Sequence, residues 1–164
     1  MLSISPFNKS FDRKGFTCGE PLLDAYIRSQ VSQDLRNKVA SCFILHEQEQ
    51  SQILGYYTLS TLSIELEAIP EDFKKKLPRY PQVPMILLGR LAVSQAYKGN
   101  GFGELLLISA CHKSLQITDS IGAWAVAVDS LHDQARAFYS KYGFIEFHEG
   151  QMFLTIKDIQ KNLV

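Results

Sequence analysis

The sequence predicts an α/β or α+β domain, a central sheet with helices on both faces. Three observations predict it. Aromatic and β-branched runs alternate with helical-period segments in the order β-α-β-β-β-α-β-α-β-β, the first strand lying ahead of the first helix. Two of the runs, residues 84–93 and 121–128, are apolar at both alternating positions, which places them inside a sheet covered on both sides. No repeat, low-complexity tract or linker interrupts the 164 residues, so one continuous domain, residues 1–164, is expected.

The first helix spans residues 21–35, with Pro21 in its first turn and apolar residues at 22, 23, 26, 27 and 31. Residues 41–46 and 53–60 are two β-type runs separated by the polar residues 47–52, which predicts an antiparallel hairpin. Leu62, Ile64 and Leu66 alternate with Ser63, Glu65 and Glu67, extending the second strand with one wet face. Pro70, Pro78, Pro81 and Pro84 then confine residues 70–84 to a long surface connection with a short helical turn at 72–77. After the 84–93 strand come a glycine-rich turn at 98–103, a helix at 104–115 and the 121–128 strand. A helix at 133–142, stopped by Gly143, precedes strands at 144–147 and 152–156.

With 46% hydrophobic and 21% charged residues, the composition excludes a disordered, collagen-like or disulfide-scaffold protein. No window approaches the roughly 18 apolar residues of a membrane span, and the N-terminus lacks the charged and apolar regions of a signal peptide. Cys18, Cys42 and Cys111 cannot all pair, so a reducing, cytoplasmic compartment is expected. The zero net charge hides an arrangement. Residues 1–72 hold ten acids and six bases, residues 73–103 six bases and no acid, and residues 104–164 seven acids and five bases. The cationic middle either faces an anionic ligand or is a set of solvated side chains.

A buried strand, a glycine turn and a helix N-terminus together form a device for binding phosphate. Glycines let successive N–H groups converge, and the helix dipole adds partial positive charge. Gly99, Gly101 and Gly103 supply the turn, beside Lys98. The pattern lacks the Lys-Ser/Thr of a P-loop and the acidic ribose partner of a dinucleotide fingerprint. On these residues alone, a phosphate cradle and a ligand-free tight turn both remain open.

Three segments read together are more specific: LLGRLAV at residues 87–93, KGNGFGELL at 98–106 and ARAFYSKYGF at 135–144. They resemble the GNAT family of acetyl-CoA-dependent N-acetyltransferases, over nearly the whole chain. FTCGEPLLDAY at 16–26, GYYTL at 55–59 and the 87–93 strand further resemble one branch, the acetyltransferase toxins of type II toxin–antitoxin operons. These acetylate the amino acid on charged tRNA and are held by ribbon-helix-helix antitoxins.

The resemblance implies the GNAT fold, a mixed and mostly antiparallel sheet splayed at an acetyl-CoA cleft. It implies acetyl-CoA as cosubstrate, aminoacyl-tRNA as acceptor, an antitoxin partner and a homodimer. Lys98 stands at the family's Arg/Gln position, keeping the charge and losing the bidentate fork. Backbone amides of Gly99, Asn100, Gly101, Phe102 and Gly103 would hold the CoA pyrophosphate, and Leu91, Ala92 and Val93 would present strand amides to the pantetheine arm and the thioester carbonyl. Tyr139 matches the general-acid tyrosine, because a phenol with a pKa near ~10 keeps a proton for the departing thiolate. Phe138 and Tyr142, on other helical bearings, read as core. His132 stands where the family often has Asn, with its role open. No general base stands out, since an α-amino group titrates near ~7.7–8.0 and supplies neutral amine by itself.

Weaker signals carry two readings each. Lys74, Lys75, Lys76 and Arg79 are either tRNA contacts or the solvated face of a short helix. Arg90, in a strand otherwise apolar, calls for a carboxylate or a nucleic-acid phosphate. His46, His112, His132 and His148 lie at non-ligand spacings, so no metal is expected. The cysteines and Trp124 read as packing residues. Against the aminoacyl-tRNA toxin stand three rivals: an acetyltransferase for a small amine or a protein N-terminus, a non-catalytic acyl-CoA-binding module, and an operon repressor acting with its antitoxin.

Overall fold

The computed structural model describes residues 1–130, 132–148 and 150–163. Seven strands follow the order β1-β2-β3-β4-β5-β7-β6: β1 Leu2–Pro6, β2 Ser41–Glu47, β3 Gly55–Glu65, β4 Gln82–Val93, β5 Ala125–Asp129, β6 Ile145–His148 and β7 Gln151–Thr155. β1 pairs antiparallel with β2, β2 with β3, and β7 with both β5 and β6, while β4 and β5 pair parallel. The expected hairpin is present, with Phe43 opposite Tyr57 and Leu45 opposite Gly55. The parallel ladder joins Met85–Leu88 to Ala125–Val128, and β4 continues beyond it to Val93.

The chain divides into two compact units, residues 1–60 with 89–110 and residues 61–88 with 111–164. In the first, Phe16, Tyr26, Ile27, Val31, Ile44, Tyr56 and Ala92 belong to one buried cluster. In the second, Ile64, Val83, Met85, Ala125, Ala127 and Phe153 do the same, with Trp124 stacked on Phe153 at 5.2 Å.

The predicted 21–35 helix is three pieces: α1 Pro21–Ala25, a π-helical turn Tyr26–Gln30, and α2 Val31–Arg36. Leu22 is 84% exposed, because adjacent helical residues point about 100° apart and Leu23 takes the core side. In the 70–84 connection, α3 is only Glu71–Lys74, and a Leu66 N–H bond to the Pro81 carbonyl at 2.9 Å closes the segment's ends. Helix α4 runs Phe102–Ile117.

Strand β5 begins later than the predicted residue 121. Ile121 is 67% exposed, its N–H bonded to Ile117 O at 3.0 Å in a turn that extends α4. Helix α5, Asp133–Lys141, ends at Gly143 as expected, with φ +96 there. The strand predicted at 152–156 stops at Thr155, whose hydroxyl accepts the Asp158 N–H at 3.1 Å and starts α6, Ile156–Asn162. Among the described residues no helix is long and apolar enough to cross a membrane.

Candidate active site

The glycine turn joins β4 to α4 through a short 3₁₀ turn, Gln95–Tyr97. Gly99 has φ +87 and Gly101 φ +78, a region that side-chain-bearing residues avoid. A Cβ built at either would meet nothing within 4 Å, so both positions face open space instead of packed protein. The side-chain amide of Asn100 donates to Tyr97 O at 2.8 Å and ties the turn to its own base. Helix α4 follows at once, and its first N–H groups have no intrahelical acceptor. A pyrophosphate fits this cradle: it needs converging N–H donors, room, and partial positive charge. Lys98, exposed beside it, adds a full one.

The backbone leading into the turn is tied to the segment that opens α1 and to the residue before β3. Gln95 N–H donates to Thr17 O at 2.8 Å, and Ser94 N–H to Leu54 O at 2.8 Å. Asp24 holds the Thr17–Cys18 end, accepting the Cys18 amide at 2.8 Å and the Thr17 hydroxyl at 3.1 Å. Burial opposes its charge, but those hydrogen bonds and Arg28 hold its carboxyl below the usual carboxylate range. The buttress was not predicted as part of the site, although its residues lie in the 16–26 motif.

Gly55 opens the GYYTL motif at the start of β3. A Cβ there would stand 2.8 Å from Ala92 O and 2.8 Å from Leu106 Cδ1, so bare backbone is what admits β4 and α4 this close. Ala92 is buried, and Leu91 and Val93 on either side are half-buried.

Arg90 meets no carboxylate among the described residues, which corrects the ion-pair expectation. Its guanidinium carbon lies 3.6 Å from the centre of the Tyr26 ring, and Nη1 reaches Thr58 Oγ1 at 3.5 Å. The lysine run is partly neutralised in place: Lys74 Nζ lies 3.2 Å from Glu67 and 3.9 Å from Glu71, and Lys75 lies 4.0 Å from Asp72. Lys74, Lys75 and Arg79 line a recess of about 560 Å³ together with Glu65, Glu67 and Tyr80. Lys76 is exposed.

Tyr139, on α5, is 7% exposed, and burial pushes its phenol above the ordinary value, with Asp129 and Cys111 adding to the rise. Its hydroxyl has no hydrogen bond among the described residues, and no buried side-chain oxygen or nitrogen there lacks a partner. The hydroxyl therefore reaches accessible surface while the ring packs against Phe138 at 5.2 Å and Phe144 at 5.4 Å. Phe138 and Tyr142, expected as core, are only half-buried, and Tyr139 is the buried member of the three. Nor are their surroundings separate, since Phe138 also contacts Tyr142 at 5.3 Å. Ring size bridges the angular spacing that kept them apart on a helical wheel.

His132 gains a role: its Nδ1 accepts the Ala135 N–H at 3.2 Å as the N-cap of α5. That is the function an Asn has at such a position. Cys18, Cys42 and Cys111 are buried, and burial pushes their thiols up to about 11, 12 and 12. Thiols so protonated are poor nucleophiles.

Comparison with known proteins bears on the same residues. Residues 38–146 match the model of the acetyltransferase (GNAT) domain. A tRNA-acetylating toxin of Mycobacterium tuberculosis is 36% identical over 133 residues, 81% of this chain and 78% of its own. The structure of AtaT complexed with acetyl-methionyl-tRNAfMet superposes with a TM-score of 0.91 at 29% identity, over 100% of both chains. A tyrosine-to-phenylalanine mutant of AtaT, bound to the C-terminus of the antitoxin AtaR and acetyl-CoA, gives 0.83 at 26%, over 98% of this chain and 97% of that one. The glycine turn, the 87–93 strand and Tyr139 all fall inside the matched span, and the chain belongs to the GNAT acetyltransferase family.

Proposed function

We propose that this chain, as one catalytic domain over residues 1–164, moves acetyl from acetyl-CoA to the α-amino group of an aminoacyl-tRNA. It thereby blocks translation as a cytoplasmic toxin. One observation carries the chemistry: on α5 the Tyr139 ring is buried while its hydroxyl has no hydrogen-bond partner among the described residues. Such a group stays protonated at neutral pH and can give its proton away. Likeness to a tRNA-acetylating toxin and to AtaT bound to acetyl-methionyl-tRNA supports the acceptor.

When bound, acetyl-CoA supplies the acetyl group as a thioester. Gly99, Asn100, Gly101, Phe102 and Gly103 bind its pyrophosphate through their amides, with Lys98 contributing charge. Leu91, Ala92 and Val93 orient the pantetheine arm and offer N–H donors to the carbonyl oxygen. The amine nitrogen forms the new N–C bond as the C–S bond breaks, Tyr139 Oη gives its proton to the sulfur, and the amine releases one to water. The donated proton returns to Tyr139 from solvent. Lys74, Lys75, Lys76 and Arg79 add attraction for the nucleic acid, reduced by the acids beside Lys74 and Lys75. Likeness to antitoxin-bound AtaT supports an antitoxin partner. The ribbon-helix-helix class of that partner and a homodimer are proposed on the family resemblance alone.

Transfer of labelled acetyl into a total pool of charged tRNA tests this, with uncharged tRNA and RNase-treated samples as controls. Label is expected on charged tRNA only. Label insensitive to RNase, on small amines or protein N-termini, would overturn the acceptor.

A further inference from the structure

Arg90 is a half-buried cation on β4 whose contacts among the described residues are the Tyr26 ring at 3.6 Å and one long bond to Thr58 at 3.5 Å. The nearby acid Asp34 is engaged elsewhere, accepting the Tyr26 hydroxyl at 3.0 Å and the Gln30 side chain at 3.0 Å. A guanidinium carries five N–H donors in a planar fork, so most of this fork has no acceptor among the described residues. Keeping such a charge half-buried without a counter-ion is costly. The Tyr26 ring offers the guanidinium no oxygen acceptor, and the N–H groups of such a fork are what grip two oxygens of a phosphate.

Tyr26 is itself fixed in an unusual way. It opens the π-helical turn Tyr26–Gln30, in which Val31 N–H reaches back to Tyr26 O, and such turns are frequent at functional sites. The ring is buried, held by the Asp34 bond at one end and by Tyr56, stacked at 6.3 Å. A rigid aromatic plate therefore lies under a fork that lacks an anion.

We infer that Arg90 is a seat for one backbone phosphate of the acceptor nucleic acid, and that Tyr26 is its positioning residue. This rests on the aminoacyl-tRNA reading. Steady-state rates with charged tRNA varied at saturating acetyl-CoA, and the reverse, test it. Arg90→Gln should raise KM for charged tRNA about 10- to 100-fold, the worth of a charge-assisted contact, and leave KM for acetyl-CoA unchanged. It should also lower the slope of log affinity against log salt by about 0.7 to 0.9, one phosphate's share. Tyr26→Leu should raise the same KM about 3- to 30-fold with little change in kcat, and Tyr26→Phe, which keeps the plate, should restore it. Thermal unfolding of each variant identifies any that fails to fold, in which case Arg90→Gln decides.

An unchanged KM for tRNA and an unchanged salt slope in Arg90→Gln would overturn the seat. A rise confined to acetyl-CoA would also overturn it, assigning Arg90 to the cosubstrate's phosphates. If the wild type transfers no acetyl to charged tRNA, the acceptor reading fails separately. Binding of uncharged tRNA to wild type and Arg90→Gln then decides: a slope dependent on Arg90 upholds the phosphate seat, and an identical slope rejects it.

Discussion

The imidazole Nδ1 of His132 accepts the Ala135 amide at 3.2 Å, capping the helix whose second turn carries Tyr139. A neutral imidazole can do this, because one ring nitrogen then holds a free lone pair. The cap fixes where α5 starts and so helps fix where Tyr139 stands.

Loss of the cap therefore has a measurable cost. His132→Ala should lower stability by about 1 kcal/mol in urea unfolding, and His132→Asn, an equal or better cap, should restore it. Equal destabilisation by both substitutions would show that the cap is not what His132 contributes.

At Gly101, open space and positive φ separate two effects. Gly101→Ala should cost about 1–2 kcal/mol of backbone strain without blocking the cradle. Gly101→Asp adds a carboxylate where the proposed function seats phosphate, so its Kd for acetyl-CoA by calorimetry should exceed that of the alanine variant by tenfold or more, about 1.4 kcal/mol. Equal Kd values would remove phosphate from this turn.

Gly55 makes a different demand, since a Cβ would collide with the Ala92 carbonyl and Leu106 at 2.8 Å each. Gly55→Ala should destabilise by about 1–3 kcal/mol, the range for overpacking, and weaken acetyl-CoA binding by displacing β4 at Ala92. Stability together with Kd is the check, and a wild-type Kd would show that β4 tolerates the shift.

The buried thiols set an alkaline limit. Their folded values of about 11 to 12 lie above the ordinary 9.0, so above pH 9 the unfolded chain releases protons that the folded chain keeps. This stability is complete below pH 9 and falls as pH rises toward 11–12. Urea unfolding under reducing conditions from pH 8 to 10 should show the fall, and Cys111→Ala should remove one thiol's share, at most about 1.4 kcal/mol per pH unit.

Much of this was legible in local residues. Gly99, Gly101 and Gly143 stand at the positive-φ positions that their places after a strand or a helix suggest. The 41–46 and 53–60 runs pair as alternation and an intervening polar turn require. The α6 start is marked locally too, since Thr155 and Asp158 have cap spacing. Other features were not local. Arg90 takes its partner from Tyr26, 64 positions away, through a π turn whose extra backbone step leaves no mark in apolar spacing. The clash at Gly55 depends on Ala92 and Leu106, and the burial of Tyr139 over Phe138 depends on packing that a helical wheel does not contain.

In the proposed reaction Tyr139 gives its proton to the departing thiolate. Single-turnover acetyl transfer to charged tRNA by wild type and Tyr139→Phe, beside calorimetric binding of acetyl-CoA to both, tests it most directly. Acetyl-CoA binding should be unchanged and transfer slowed about 10²- to 10⁴-fold, the usual share of a general acid. Wild-type transfer by Tyr139→Phe would contradict it.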